Sequence, residues 1–220
     1  MPEGVVTALE VQKRDKQRVN IYLDGEYAFS LSLIEAVKLR KGQALSEQQI
    51  AALRDEDTIL RAVDSAAHFL GYRPRSMEEV RQNLAGKDFP PPVIAIALER
   101  LVERGYVDDL AFARYWVQNR STFKPRSRPA LRSELRQKGI AEDIIQEALA
   151  DLDEDSLAYE VAQQRALRFR NPTREDFRKK LGSLLQRRGF SFTTVRETLD
   201  QLINELAESD PDYFKDVDDE

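Results

Sequence analysis

"YRPRSMEEVRQNLAGKDF" at residues 72–89 and "FKPRSRPALRSELRQKGI" at residues 123–140 are two versions of one phrase. A constant offset of 51 aligns Pro74 with Pro125, Arg75 with Arg126, Ser76 with Ser127, Arg81 with Arg132, Leu84 with Leu135 and Lys87 with Lys138. Self-similarity at such a period marks tandem structural units, and the fold is read outward from it. In both copies a Ser precedes apolar residues at helical spacing, and its hydroxyl can accept the orphan N–H groups of a helix start. Thr173 offers the same cap in a third, more divergent copy.

Helices are therefore expected behind Ser76, Ser127 and Thr173, ending at turns marked by Phe89, Gly139 and Gly189. A second helix follows each turn. The stripes are Ile94, Ala97, Leu98 and Leu101 in the first copy, Ile145, Ala148, Leu149 and Leu152 in the second, and Val195, Leu199, Leu202 and Ile203 in the third. One more helix precedes each pair, over 59–70, 110–120 and 157–169, with Asp108 and Asp155 just ahead of the last two. The unit is three helices, occurring three times, over 56–105, 106–153 and 154–207. Units this small bury little apolar surface alone and must lean on their neighbours. The expected fold is mainly α: three tandem three-helix repeats forming an elongated, curved rod.

Ahead of the repeats the period changes to two. Val5, Thr7, Leu9 and Val11, then Val19, Ile21 and Leu23, then Tyr27, Phe29 and Leu31 read as three strands. Asp24-Gly25 is a dipeptide that suits a tight hairpin, whose central residues need positive φ. The first turn, residues 13–18, is a basic tip. A short helix near 33–39, a break at Gly42, and a Ser46/Gln49 capping box opening another short helix through Leu53 complete a small β-rich N-terminal domain at 1–55.

The chain has no Cys, so disulfides, thiolate metal sites and cysteine nucleophiles are excluded. No signal-peptide layout opens the sequence and no apolar run approaches a membrane span, which leads to the expectation of a soluble, cytoplasmic protein with no membrane partner. The single His68 lies in a helical SAAHFLG run without an orienting partner in view, and is read as structural. There is no phosphate-binding Gly-x-x-x-x-Gly-Lys loop. Asp216, Asp218 and Asp219 lack the Gly and distal Glu of a calcium loop and read as a solvated tail. The expectation is a non-enzyme with no metal and no cofactor.

Net charge is −5, but residues 208–220, read as an acidic C-terminal tail, hold seven acids and one Lys, leaving a nearly neutral body. Within that body, 121–138 carry six cations against one acid, and 165–189 carry nine against two. Arg128, Arg132 and Arg136 recur every four residues, on one helix face, beside a core-facing Leu131 and Leu135. Lys124 and Arg126 flank them on one side and Lys138 on the other. The third copy has Arg165, Arg168, Arg170, Arg174, Arg178, Lys179, Lys180, Arg187 and Arg188; the first keeps Arg75, Arg81 and Lys87 but has Met77 and Ala85 where the second has Arg128 and Arg136. For any single Arg a solvated helix face explains the residue, whereas unpaired runs of cations favour an anionic neighbour. The candidate partner- or DNA-binding residues are Arg75, Arg81, Lys124, Arg126, Arg128, Arg132, Arg136, Lys138, Arg170, Arg174, Arg178, Lys179, Arg187 and Arg188. Tyr72, Tyr115, Trp116, Phe123 and Phe169 could stack on bases, but at helical spacing they are expected mainly in the core.

The phrases at 72–76, 79–84, 105–113 (GYVDDLAFA), 131–140 (LRSELRQKGI) and 187–190 (RRGF) together resemble the RecX family of bacterial recombination regulators, in order and spacing over nearly the whole chain. The resemblance implies a protein that binds the RecA recombinase filament along its groove and inhibits filament growth, ATP hydrolysis and strand exchange, touching single- or double-stranded DNA weakly or through the filament. An open array of repeats with polar ends leads to the expectation of a monomer. It implies no catalytic residues. The alternative from charge alone is a stand-alone DNA- or RNA-binding helical repeat protein. The acidic tail is not part of the family pattern.

Overall fold

A computed structural model describes residues 3–215. The chain forms two compact units, divided between Asp108 and Asp109.

In the first unit, β1 (Gly4–Val11), β2 (Arg18–Leu23) and β3 (Glu26–Ser32) form an antiparallel meander, and a short β4 (Ala44–Leu45) pairs on the other edge of β1, giving the order β3-β2-β1-β4. β4 was not apparent in the sequence. The hairpin at Asp24-Gly25 has φ of 51° and 91°, as the dipeptide suggested. The phase of β1 differs from the sequence reading: Val6 is fully buried while Val5 and Val11 are exposed. A bulge between Val6 and Ala8 resets the alternation, so that Val6 before it and Leu9 after it both turn inward.

After the single-turn α1 (Leu33–Ala36), α2 (Glu47–Leu70) starts at the Ser46/Gln49 capping box and runs for 24 residues without the expected break after Leu53. Arg54, Asp55, Glu56 and Asp57 interrupt the apolar spacing, but they are polar for a reason. Buried Asp57 accepts from the Arg18 guanidinium at 2.7 and 2.9 Å and from the Ser32 N–H at 2.7 Å. Arg54 donates to the Ala28 carbonyl at 2.9 Å and lies over the Phe29 ring. The sheet is thus clipped to the middle of the helix. α3 (Met77–Ala85) and α4 (Pro91–Glu103) close the first three-helix repeat over Ala62, Ala66, Val80, Leu84, Ala97 and Leu101, all essentially inaccessible. Arg100 of α4 forms a bidentate pair with Glu56 at 2.6 and 2.8 Å. The left-handed residue ending α3 is Asp88 (φ 61°), not Phe89, and it stands 51 residues before Gly139.

The second unit holds α5 (Asp109–Phe123), α6 (Arg128–Gln137) and α7 (Glu142–Ala148), then α8 (Glu154–Ala166), α9 (Arg174–Arg187) and α10 (Phe192–Ser209). Ser127 and Thr173 cap α6 and α9 by accepting from the N–H groups of Ala130 and Asp176. The cap of α8 is Asp153 rather than Asp155, which lies in the first turn. Phe112, Leu131, Leu135 and Ile145 centre one core; Phe177, Leu181, Leu185 and Leu199 centre the other. The two repeats meet where the Ser127 N–H donates to the Arg188 carbonyl at 3.1 Å. Gly189 sits in this seam at φ 91°, and a Cβ there would lie 2.6 Å from Ser127 Oγ.

Residues 208–215 are not a solvated tail. α10 continues to Ser209, Phe214 is buried, and Tyr213 and Phe214 pack edge-on against Phe177. Aromatic burial outweighs the acids interspersed with them. The Tyr213 hydroxyl donates to the Ala166 carbonyl at 2.9 Å, and the Lys215 N–H to the Pro172 carbonyl at 3.1 Å. Asp216, Asp218 and Asp219 lie outside the described residues. No helix among the described residues is long and apolar enough to cross a membrane.

Candidate anion-binding cleft

The cationic residues of the second repeat are largely neutralised within the fold. Arg128 turns its guanidinium onto the carbonyls of Leu149 and Leu152, capping the end of α7, and its backbone N–H donates to Glu154. Arg132 and Arg136 share Glu142, at 2.9 and 2.8 Å; the Arg132 contact is one of proximity, since its Nε–H is not aimed at the carboxylate. Arg126 lies 3.6 Å from Glu134, which also takes Arg120 at 2.7 Å and the Trp116 indole N–H at 2.8 Å. Lys138 sits over the Trp116 ring, and Lys124 is exposed. Glu142 and Glu154 lie outside the run of six cations and one acid, so counting along the sequence misses them. The i, i+4 spacing of Arg128, Arg132 and Arg136 does place Leu131 and Leu135 on the buried side, as read.

The first repeat contributes little. Arg81 pairs with Glu78 at 3.2 Å. Arg75 stacks 4.1 Å above the Phe69 ring, with burial and then neighbouring Arg73 pulling its pKa below the usual guanidinium value.

The third repeat is different. The C-terminal end of α8, the connection through Pro172 and one face of α9 enclose an open cleft of about 1070 Å³. Arg165, Arg168 and Arg170 line one side, and Lys179, Lys180, Arg187 and Arg188 the other, with Lys215 at the edge. Among the described residues Asp176 is the one carboxylate in the lining, 3.4 Å from Lys180. Among the described residues no ion pair engages Arg165, Arg168, Arg170, Lys179, Arg187 or Arg188. Burial, and then the charge of Arg126, lower the pKa of Arg188. Arg126 itself donates to the Arg187 carbonyl at 3.3 Å, which brings it to this end of α9. Such a concave set of unpaired cations concentrates positive potential and suits a ligand carrying several negative charges.

Of the residues singled out in the sequence, the fold brings Arg170, Lys179, Arg187 and Arg188 into the cleft with Arg126 beside it. Arg174 points instead over Phe214, and Arg178 pairs with Asp200 at 2.6 Å on another face of α9. Lys215 went unnoticed because the acids around it dominate the sequence there. Among the aromatics, Tyr72 and Phe123 are about three-quarters exposed and Tyr115 is also exposed, contrary to the expectation of core positions. Trp116 and Phe169 do pack against the cores. His68 lies edge-on to the Tyr72 ring, whose hydroxyl is 3.2 Å from its Nε2, and among the described residues no three His, Asp or Glu side chains gather as metal ligands.

Four family models match the chain in sequence order: the regulatory protein RecX N-terminal domain over 4–46, and the first, second and third three-helix domains of RecX over 62–101, 108–149 and 153–199. Regulatory protein RecX of Bacillus pumilus (strain SAFR-032) is 32% identical over 201 residues, covering 89% of this chain and 76% of the relative. That of Bacillus subtilis (strain 168) is 33% identical, covering 90% and 76%. A crystal structure of regulatory protein RecX superposes with a TM-score of 0.72 at 30% identity, covering 90% of this chain and 99% of the other. RecX from Lactobacillus salivarius, at 21% identity and a TM-score of 0.59, shares the fold over 68% of this chain.

Proposed function

Because the chain belongs to the RecX family of regulatory proteins, we propose that it acts without catalysis of its own, in the cytoplasm, by binding the RecA recombinase nucleoprotein filament along its groove and damping filament growth, ATP hydrolysis and strand exchange. The observation that carries this reading is the match of all four modules in order, from residue 4 to residue 199. Several modest contacts along one connected body add through effective concentration, which suits a regulator that must engage a polymer of repeating protomers. The cleft of the third repeat supplies the contact with phosphate, or with an acidic protein surface, while exposed Tyr72 and Phe123 are available for stacking. The test is RecA ATPase activity on single-stranded DNA with increasing amounts of the protein. A dose-dependent fall is expected; unchanged turnover at saturation would falsify the proposal.

The cleft also favours a second reading, a stand-alone DNA- or RNA-binding repeat protein. In that case nucleic-acid affinity without recombinase should fall with log salt by about 0.7 to 0.9 per phosphate neutralised. Binding to RecA filaments would then add nothing beyond the DNA they contain.

A further inference from the structure

The single turn α1, with the Val37 that ends it, is built inside out. Glu35 is buried and holds the Lys38 ammonium at 2.6 Å, while Ile34 is 69% and Val37 71% exposed. This reverses the usual placing of carboxylates and aliphatic side chains. Ile34 also leads into an open groove of about 990 Å³ within the first unit. The groove is lined by the β1–β2 turn, the start of α1, the middle of α2 through Leu60 and Arg61, and the segment after α3 through Lys87 and Phe89. Its walls are tied together before anything binds. Asp57 of α2 holds both Arg18 and the Ser32 N–H, the Leu33 N–H donates to the Gln17 carbonyl at 2.8 Å, and the Lys87 ammonium donates to Ser65 Oγ at 2.7 Å. A groove shaped in advance loses little freedom when it is filled.

Charge selects the occupant. Arg61 and Lys87 line the groove, and Lys13, Arg14 and Lys16 stand on the turn beside it; all five are exposed and, among the described residues, none is in an ion pair. The acids in the lining, among the described residues, are Asp64 and Asp15, the latter accepting from the Gln17 N–H at 2.9 Å. The excess is positive but interrupted. A continuous phosphate backbone laid here would meet both carboxylates and leave the aliphatic surface of Ile34 and Leu60 in water. A polypeptide can set carboxylates against the cations and an apolar side chain against the aliphatic surface between them.

We propose that this groove docks an acidic segment of a partner protein, with a bulky apolar side chain seated against Ile34, Leu60 and Phe89 and flanking carboxylates on Arg61, Lys87 and the basic turn. The proposal does not depend on the phosphate reading of the third-repeat cleft.

The experiment is fluorescence anisotropy of the full chain with a labelled synthetic peptide in which Glu alternates with Leu around a central Phe. Unlabelled competitors are the same peptide with Ser in place of Leu and Phe, the same peptide with Lys in place of Glu, and an oligothymidylate. The forms compared are the unchanged protein; Arg61→Glu with Lys87→Glu; Ile34→Ser; Val37→Ser, an exposed aliphatic outside the groove lining; and Arg168→Glu with Lys179→Glu in the third-repeat cleft. All these side chains are exposed, and a thermal melt of each form checks folding. Reversing Arg61 and Lys87 is expected to weaken peptide binding on the order of tenfold or more at low salt, and less as salt rises. Ile34→Ser should weaken it about three- to tenfold at every salt concentration, and Val37→Ser and the cleft pair by less than about twofold. None of the competitors should displace the peptide at equal concentration. No binding of the peptide, or binding that Ile34→Ser leaves intact, would overturn the proposal. A loss in the cleft pair without one in Ile34→Ser would assign the peptide to the cleft instead. Displacement by oligothymidylate that depends on Arg61 and Lys87 would make the groove a nucleic-acid surface, and a dimer in sedimentation that Ile34→Ser dissolves would make its occupant a second copy of the chain; either result refutes the acidic partner segment.

Discussion

Helix α6 and the α8–α9 cleft hold the two densest runs of cations, and the fold treats them in opposite ways. Around α6 each long cation but Lys124 is drawn onto a carboxylate, a helix-end carbonyl or an indole ring. Around the cleft the cations border open space, and among the described residues Asp176 is the one carboxylate in the lining to offset them. Positive residues in sequence are therefore a poor measure of positive surface. What decides is whether the neighbouring helix supplies acid or carbonyl acceptors, as α7 does with Glu142 and its C-terminal end, or withholds them.

The sharpest way to break this contrast is to reverse charge in both places. Arg168→Glu with Lys179→Glu should weaken oligonucleotide binding by on the order of 10- to 100-fold at low salt and flatten the salt slope by about 1.5. Arg132→Glu with Arg136→Glu should change it less than about threefold, since these charges are already screened by Glu142. Comparable losses from the two pairs would refute the distinction.

Stability should show the inverse ranking. Arg128→Ala leaves two helix-end carbonyls without their donor and is expected to cost about 2 to 3 kcal/mol in urea unfolding, whereas Arg168→Ala should remain within about 0.5 kcal/mol. The seam between the regions offers the next effect. Gly189→Ala combines a left-handed backbone with a 2.6 Å approach to Ser127 Oγ, and should cost more than about 1 to 2 kcal/mol; Gly105→Ala, at φ 70° with open space around it, should cost about 1 kcal/mol.

A smaller change should move α6 toward the behaviour of the cleft. Glu142→Gln frees Arg132 and Arg136, and should tighten oligonucleotide binding by about two- to threefold at low salt. The smallest expected effect lies in the first unit, where Arg100 is neutralised in the manner of α6. Its hydrogen bond holds Glu56 below the ordinary carboxyl value of 4.5. A lowered folded pKa means stability present above that value and lost as pH falls through the folded one. Both side chains are about a third exposed, so the contribution is ~1 kcal/mol or less. The stability difference between the unchanged chain and Glu56→Gln should be greatest near neutrality and disappear in acid; a constant difference would assign the effect to packing.

Local signals in the sequence carried much of the fold. Ser46, Ser76, Ser127 and Thr173 each cap a helix because a short hydroxyl side chain solves the same problem wherever a helix begins. The stripes from Ile94 to Leu101 and from Val195 to Ile203 are buried as their spacing requires. What stayed hidden depends on partners distant in sequence. The β1 bulge comes from how β2 pairs with it, and the polar middle of α2 is explained only by Arg18, Ala28 and Arg100. The cleft was half legible: Arg170, Lys179, Arg187 and Arg188 could be picked out by density, but nothing local separated them from Arg128 or Arg178. Lys215 joins them because Tyr213 and Phe214, just before it, pack against Phe177.

The unbroken α2 has a mechanical meaning. At about 1.5 Å per residue it is a spar about 36 Å long, gripped midway by the strands through Arg18 and Arg54 and by α4 through Arg100. Without a pivot between sheet and first repeat, torque applied at the basic hairpin tip travels along the spar into the helices instead of dissipating in a linker.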